Sequence, residues 1–115
     1  MTSQQIVNLL KLVDTPRDGA LLRFSLGSEY LKHTNYGAAV THLSAALEKD
    51  PGYSAAWKLL GSALAGNGRD EEALATFRKG IEVAEKKGDM QAAKEMAVFA
   101  RRLEKGIASR RSADS

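Results

Sequence analysis

Apolar side chains recur along this chain at helical spacing, in six stretches separated by short polar breaks. In residues 3–13, Ile6, Leu9, Leu10 and Val13 share one stripe, and the segment stops at "DTPRDG". Thr15 and Pro16 then read as a cap followed by a first-turn proline. The helix they open runs to about Lys32, with Leu22, Leu26 and Tyr30 at i, i+4 and i+8. "HTN" interrupts it, and Thr34 or Asn35 caps a third helix that continues through Lys49. "DPGYS" is a strong break, because Pro51 cannot continue a helix and Gly52 tolerates positive φ.

A fourth helix is expected from about Ala55 to Ala65. "GNGRD" joins it to a fifth, with Gly68 as the left-handed residue of the turn. The fifth starts near Asp70, whose carboxylate is placed to accept free N–H groups of the first turn, and reaches about Lys86. Gly88 and Asp89 repeat the stop and the cap, so a sixth helix occupies about 89–105. Gly106 is expected to end it, leaving 108–115 as a flexible polar tail. Six helices with short loops leave no room for a sheet, and the fold class is all-α.

The tripeptide Leu-Gly-Ser occurs at 26–28 and again at 60–62, an offset of 34 residues. Laying 20–53 over 54–87 also puts Ala39 on Ala73, Glu48 on Glu82 and Leu43 on Phe77, with the turns superposed. Each copy is one helical hairpin. A lone hairpin cannot bury its apolar face, so two copies imply stacking around a shared core.

These residues resemble the tetratricopeptide repeat family, whose pattern carries Trp, Leu-Gly and Tyr on the first helix, then Ala, Phe and a closing Pro. The second copy supplies Trp57, Leu60, Gly61, Ala73 and Phe77, with Leu64 in the Tyr position. The first supplies Leu26, Gly27, Tyr30, Ala39 and Pro51, with Arg23 in the Trp position and Leu43 in the Phe position. Stepping back one period puts Gln5 in the small Ala position; stepping forward puts Lys94 and Glu95 in the Leu-Gly positions. The resemblance therefore implies a short right-handed α-solenoid, a single domain over 1–107. Its two repeats, 20–53 and 54–87, lie between capping helices at about 3–13 and 89–105.

The resemblance also implies a concave groove, lined by the first helix of each hairpin, that binds a peptide or a helix of a partner protein. Carried onto this sequence, the groove residues are Leu21, Phe24, Ser28, Leu31 and Lys32, then Ala55, Lys58, Ser62 and Ala65. Ala92, Met96 and Phe99 extend the wall on the sixth helix. Leu21, Leu31 and Phe99 read equally as core, and Lys32 and Lys58 as solvated surface charges. Some family members grip a C-terminal carboxylate with Lys, Asn and Arg. The matching positions here hold Phe24, Ser28, Leu59, Asp89 and Ala93, so that clamp is not expected. The groove reads as shallow, mixed apolar and mildly basic, suited to an amphipathic or acidic segment.

Composition adds limits. The chain has 115 residues, 43% hydrophobic and 27% charged, which allows one modest core. Cysteine is absent, so disulfides and thiolate metal sites are excluded, and a reducing compartment fits. The opening "MTSQQIVNLLKLVDTP" has no basic stretch before its apolar residues and is interrupted by Asn8 and Lys11. It reads as neither a signal peptide nor a membrane span, and a cytoplasmic protein is expected. His33 and His42 have no metal-type spacing and suit surface or hairpin packing. "DEE" at 70–72 suits a helix N-terminus better than a cation site. "GNGRDE" lacks the strand and the Lys-Ser/Thr of a phosphate loop. No nucleophile–base arrangement is present, so the expectation is a non-enzyme without a cofactor.

Two other readings come from different classes. Tight homodimerisation through an uncapped end would make the chain a structural scaffold. The second reading rests on charge. Of the net +3, residues 86–111 hold eight basic against three acidic side chains, a surplus of five, and the remainder is two negative. Lys94, Arg101, Arg102 and Lys105 could meet the phosphates of nucleic acid or an anionic membrane, although Glu95 and Glu104 interrupt them.

Overall fold

Short polar breaks cut the chain into six helices in the computed structural model, which describes residues 3–114. They are α1 (Gln4–Leu10), α2 (Ala20–Lys32), α3 (Tyr36–Lys49), α4 (Ser54–Gly66), α5 (Asp70–Lys87) and α6 (Met90–Asp114). Among the described residues there is no strand. Side-chain caps start three of the helices. Ser3 accepts from the Ile6 N–H at 3.1 Å, Asn35 from Ala38 at 3.3 Å, and Asp89 from Ala92 at 3.2 Å. Gly68 and Gly88 turn the chain between helices at φ of 76° and 77°, where a Cβ would be strained.

Several local expectations are corrected. The first helix stops at Leu10, not Val13; Leu12 and Val13 still pack on Ile6, Leu22 and Leu26, but from a run of turns. Thr15 and Pro16 do not open α2. The Thr15 hydroxyl donates back to the Leu12 carbonyl at 2.6 Å, which closes the turn after α1, and α2 begins at Ala20 behind Gly19. Gly52 lies outside the left-handed region, and its N–H donates to the Asp50 carboxylate at 3.1 Å. Asp70 is the first residue inside α5, not its cap, and its carboxylate pairs with Arg110 at 3.0 Å.

That ion pair belongs to the largest correction. Gly106 does not end α6, and residues 108–114 are helical, not a flexible tail; only residue 115 of that expectation lies outside the described residues, as residues 1–2 do for the domain. Ile107 is buried against α5, and Arg110 ties the next turn to Asp70, so packing outweighs the helix cost of one glycine, about 1 kcal/mol.

α2 packs on α3 and α4 on α5 as two hairpins, α3 packs on α4, and α6 covers α5 and part of α4. The same contact holds each hairpin closed. A Cβ on Gly27 would land on the Leu43 side chain, and one on Gly61 would lie 2.5 Å from Phe77 Cε1. Leu43 and Phe77 occupy the same repeat position, and both are fully buried beside Ala39 and Ala73. Leu26 and Leu60 are buried alongside. Trp57 is half-buried, and its Nε1–H donates to the Pro51 carbonyl at 2.8 Å, which ties the first repeat's closing proline to the second repeat's tryptophan across the break. The result is an all-α helical repeat solenoid.

The first hairpin fills the tryptophan position with charge. Arg23 makes two 2.9 Å hydrogen bonds to Asp18, through Nε and Nη2, and its Nη1 lies 3.2 Å from His42 Nδ1. His42 in turn stacks on Tyr30 with ring centroids 5.5 Å apart. The Asp18 side chain is only 6% exposed. Hydrogen bonds from Arg23 and from the Asp14 N–H hold its carboxyl at about 2, below the ordinary 3.8. Burial, with the Arg23 charge beside it, pushes the His42 imidazole below its ordinary range.

Candidate functional site

The first helices of successive hairpins, α2 and α4, lie side by side, and α6 takes the third place next to α4. Their shared face is where the sequence reading put its groove residues. Leu21, at the start of α2, is 69% exposed, so it is not core. Phe24 is half-buried and stacks on Tyr53, centroids 4.7 Å apart, which bridges α2 to the start of α4. Ser28, Leu31 and Ala55 are half-buried, and Leu31 packs against the core. Lys32 is exposed and pairs with Glu29 on its own helix at 3.1 Å. Lys58 is not a free groove cation: its Nζ reaches Glu95 of α6 at 3.4 Å.

The open part of this face is a cleft of about 240 Å³ between α4 and α6. Ser62 and Ala65 of α4 form one wall, Phe77 of α5 the floor, and Phe99, Arg102 and Leu103 of α6 the other wall. The Ser62 hydroxyl is turned away to the Lys58 carbonyl at 3.1 Å, so the lining is apolar apart from the rim. Phe99 stacks on Phe77 at 5.5 Å yet remains 37% exposed, and the Arg102 guanidinium lies over its ring at 5.8 Å.

Two expected wall residues are corrected here. Met96 is fully buried, its sulfur filling the space left open by Gly80, and Ala92 is buried too. Both face α5 and α4 because α6 is rotated to lay Met96, Ala100 and Leu103 on the core. That rotation leaves Phe99 at the edge of the cleft and brings Arg102 and Leu103 to its wall, neither of which is among the residues expected from sequence. Their signal was the i, i+3, i+4 spacing from Phe99.

A second cleft, about 350 Å³, lies on the other side of α6 against α5, between Leu74, Arg78, Glu104 and Ile107. Glu104 and Arg78 pair across it at 3.3 Å. His33 sits exposed at the end of α2, and His42 is held in the hairpin by Arg23 and Tyr30. Among the described residues no three His, Cys, Asp or Glu side chains gather as a metal site, and no helix is long and apolar enough to cross a membrane.

Comparison with known proteins agrees with this geometry. The profile of the tetratricopeptide repeat family matches residues 24–89. A TPR repeat-containing protein of Pseudomonas aeruginosa is 43% identical over 100 residues, covering 87% of this chain and 95% of that one. The solution structure of a Bordetella parapertussis protein is 41% identical with a TM-score of 0.80, over 94% of this chain and 93% of that one. A tetratricopeptide repeat domain protein of Salinibacter ruber is 30% identical with a TM-score of 0.70, over 79% and 91%.

Proposed function

This chain belongs to the tetratricopeptide repeat family, and from that premise we propose that it is a non-enzymatic adaptor whose α2–α4–α6 face receives a peptide or helix of a partner protein. Proteins of this fold generally mediate protein–protein interaction. The observation that carries the reading is the cleft between Ser62 and Phe99, an apolar recess on the face where successive repeats line up. Phe99 keeps a large aromatic surface in water beside that recess, as an anchor for a partner does. The reading treats residues 20–53 and 54–87 as the two repeats of one domain, with α1 and α6 as caps. A cytoplasmic location is part of it, in keeping with the absence of cysteine.

The test is capture from lysate of the cells that make the protein, with wild type beside Ser62→Arg. The arginine fills the recess from an already half-buried position on its wall. Both proteins are first matched for helicity and melting. A protein retained by wild type and lost by the variant supports the groove. Equal capture by both removes it. Sedimentation or light scattering of the purified chain decides the scaffold alternative, which requires a stable dimer.

A further inference from the structure

Both acidic side chains that interrupt the basic residues of α6 are engaged with neighbouring helices. Glu95 pairs with Lys58 of α4, and Glu104 pairs with Arg78 of α5. Lys94, Arg101, Arg102 and Lys105 remain exposed, and none forms an ion pair among the described residues. The positive face of α6 is therefore less interrupted in space than in sequence. One of its cations borders the cleft: among the described residues Arg102 is the only charged one lining the space between α4 and α6.

The cleft and the cation select an occupant together. An apolar cavity of about 150 Å³ is enough to hold a benzene ring, so about 240 Å³ above Phe77 accepts one bulky apolar side chain. The Arg102 guanidinium lies over the Phe99 ring at 5.8 Å, and its forked N–H edge suits a planar acceptor. A carboxylate meets that edge with charge-assisted hydrogen bonds, whereas a lysine or arginine from a partner would face like charge. Arg101 and Lys105 lie within a Debye length along the same helix and add to the attraction during approach. We infer that this end of the groove receives an acidic amphipathic segment of a partner protein, one bulky apolar side chain resting on Phe77 and Phe99 and a neighbouring Asp or Glu on Arg102. The inference rests on the adaptor reading above.

The full chain, immobilised, is panned against a phage-displayed library of random dodecapeptides at physiological ionic strength, in parallel with Arg102→Glu and Ser62→Arg. Arg102 is exposed, so its replacement leaves the core intact, and melting curves check both variants. Wild type should enrich peptides with a bulky apolar residue beside Asp or Glu. A synthetic peptide of that kind should bind roughly tenfold or more tighter than its Lys-substituted version by fluorescence anisotropy, and Arg102→Glu should abolish or reverse that preference. Enriched peptides without acidic bias, or equal affinity for wild type and Arg102→Glu, overturn the inference. If Ser62→Arg still abolishes binding in that case, the adaptor reading survives alone. No enrichment on wild type overturns both. A short DNA duplex or phosphatidylserine vesicle that binds more tightly than the peptides, and is indifferent to Ser62→Arg, also overturns the inference.

Discussion

Adding one methyl group at Gly61 should destabilise this protein, while adding the same group at Gly106 should stabilise it. At Gly61 the new Cβ would sit 2.5, 2.6 and 2.7 Å from three ring carbons of Phe77, where ordinary contacts begin at 3.4 Å. The ring must retreat by about 1 Å from a position where it is 1% exposed and stacked on Phe99. Overpacking of this kind costs roughly 1–3 kcal/mol. Alanine returns up to about 1 kcal/mol over glycine inside a helix. The expected net loss for Gly61→Ala is about 1–2 kcal/mol. At Gly106 the nearest atom is the end of the Arg110 side chain at 3.7 Å, so only the helix gain remains, about 0.5–1 kcal/mol.

Urea denaturation followed by circular dichroism separates the two cases. The transition midpoints should move in opposite directions from wild type at an unchanged slope. In thermal melts the gap between the variants should approach 8 °C, about 4 °C per kcal/mol for a chain of this size. A Gly61→Ala protein as stable as wild type would refute the argument that the Gly61–Phe77 contact sets the distance between α4 and α5. A destabilising Gly106→Ala would refute the continuous helix through that position.

Three further outcomes follow from the same structure. Ile107→Ala should cost roughly 2–5 kcal/mol in urea denaturation, as for a buried core residue, whereas a frayed tail would register almost nothing. Ser54→Ala should raise the melting temperature by a few degrees, about 1 kcal/mol, because the buried Ser54 hydroxyl has no hydrogen-bond partner among the described residues and the first repeat has Ala20 at the same position; a lower melting temperature would show that the hydroxyl is satisfied in solution. Asp18 titrates at about 2 when folded and near 3.8 when unfolded, so the unfolded chain binds more protons between those values. Its stabilising contribution is complete above about pH 4 and is lost as the pH falls towards 2; denaturation midpoints across that window should fall less steeply in Asp18→Asn than in wild type.

The repeat architecture was legible because it is written twice. A Leu-Gly-Ser pair 34 residues apart and matching Ala and Phe/Leu positions specify which helix faces meet, and those contacts appear in the fold. What was not legible depended on tertiary partners. Gly106 looks like a stop in one dimension, and only the burial of Ile107 on α5 and the Asp70–Arg110 pair explain why the helix continues. Thr15-Pro16 carries a helix-start signal that the preceding turn claims for itself. On the last helix the rotation of α6 was not legible. The chain there has apolar residues at Ala92, Met96, Phe99, Ala100 and Leu103, a stripe wider than the contact. Gly80 decided which one went inside, by leaving room for the Met96 sulfur.

Equivalent places in the two hairpins are held by unlike forces. The second has Trp57, an apolar wedge whose indole reaches back to Pro51; the first has Arg23, whose grip depends on the ionised Asp18 carboxylate, with the His42 ring beside it. Acid loosens the Arg23 joint and leaves the Trp57 joint intact. In a linear stack each unit leans on its neighbours alone, so below about pH 4 it is the α1–α2–α3 end of the array that loses its clasp. The cleft around Ser62, Phe99 and Arg102 lies between α4 and α6, at the opposite end of the stack from that clasp, so acid that opens the one need not reach the other.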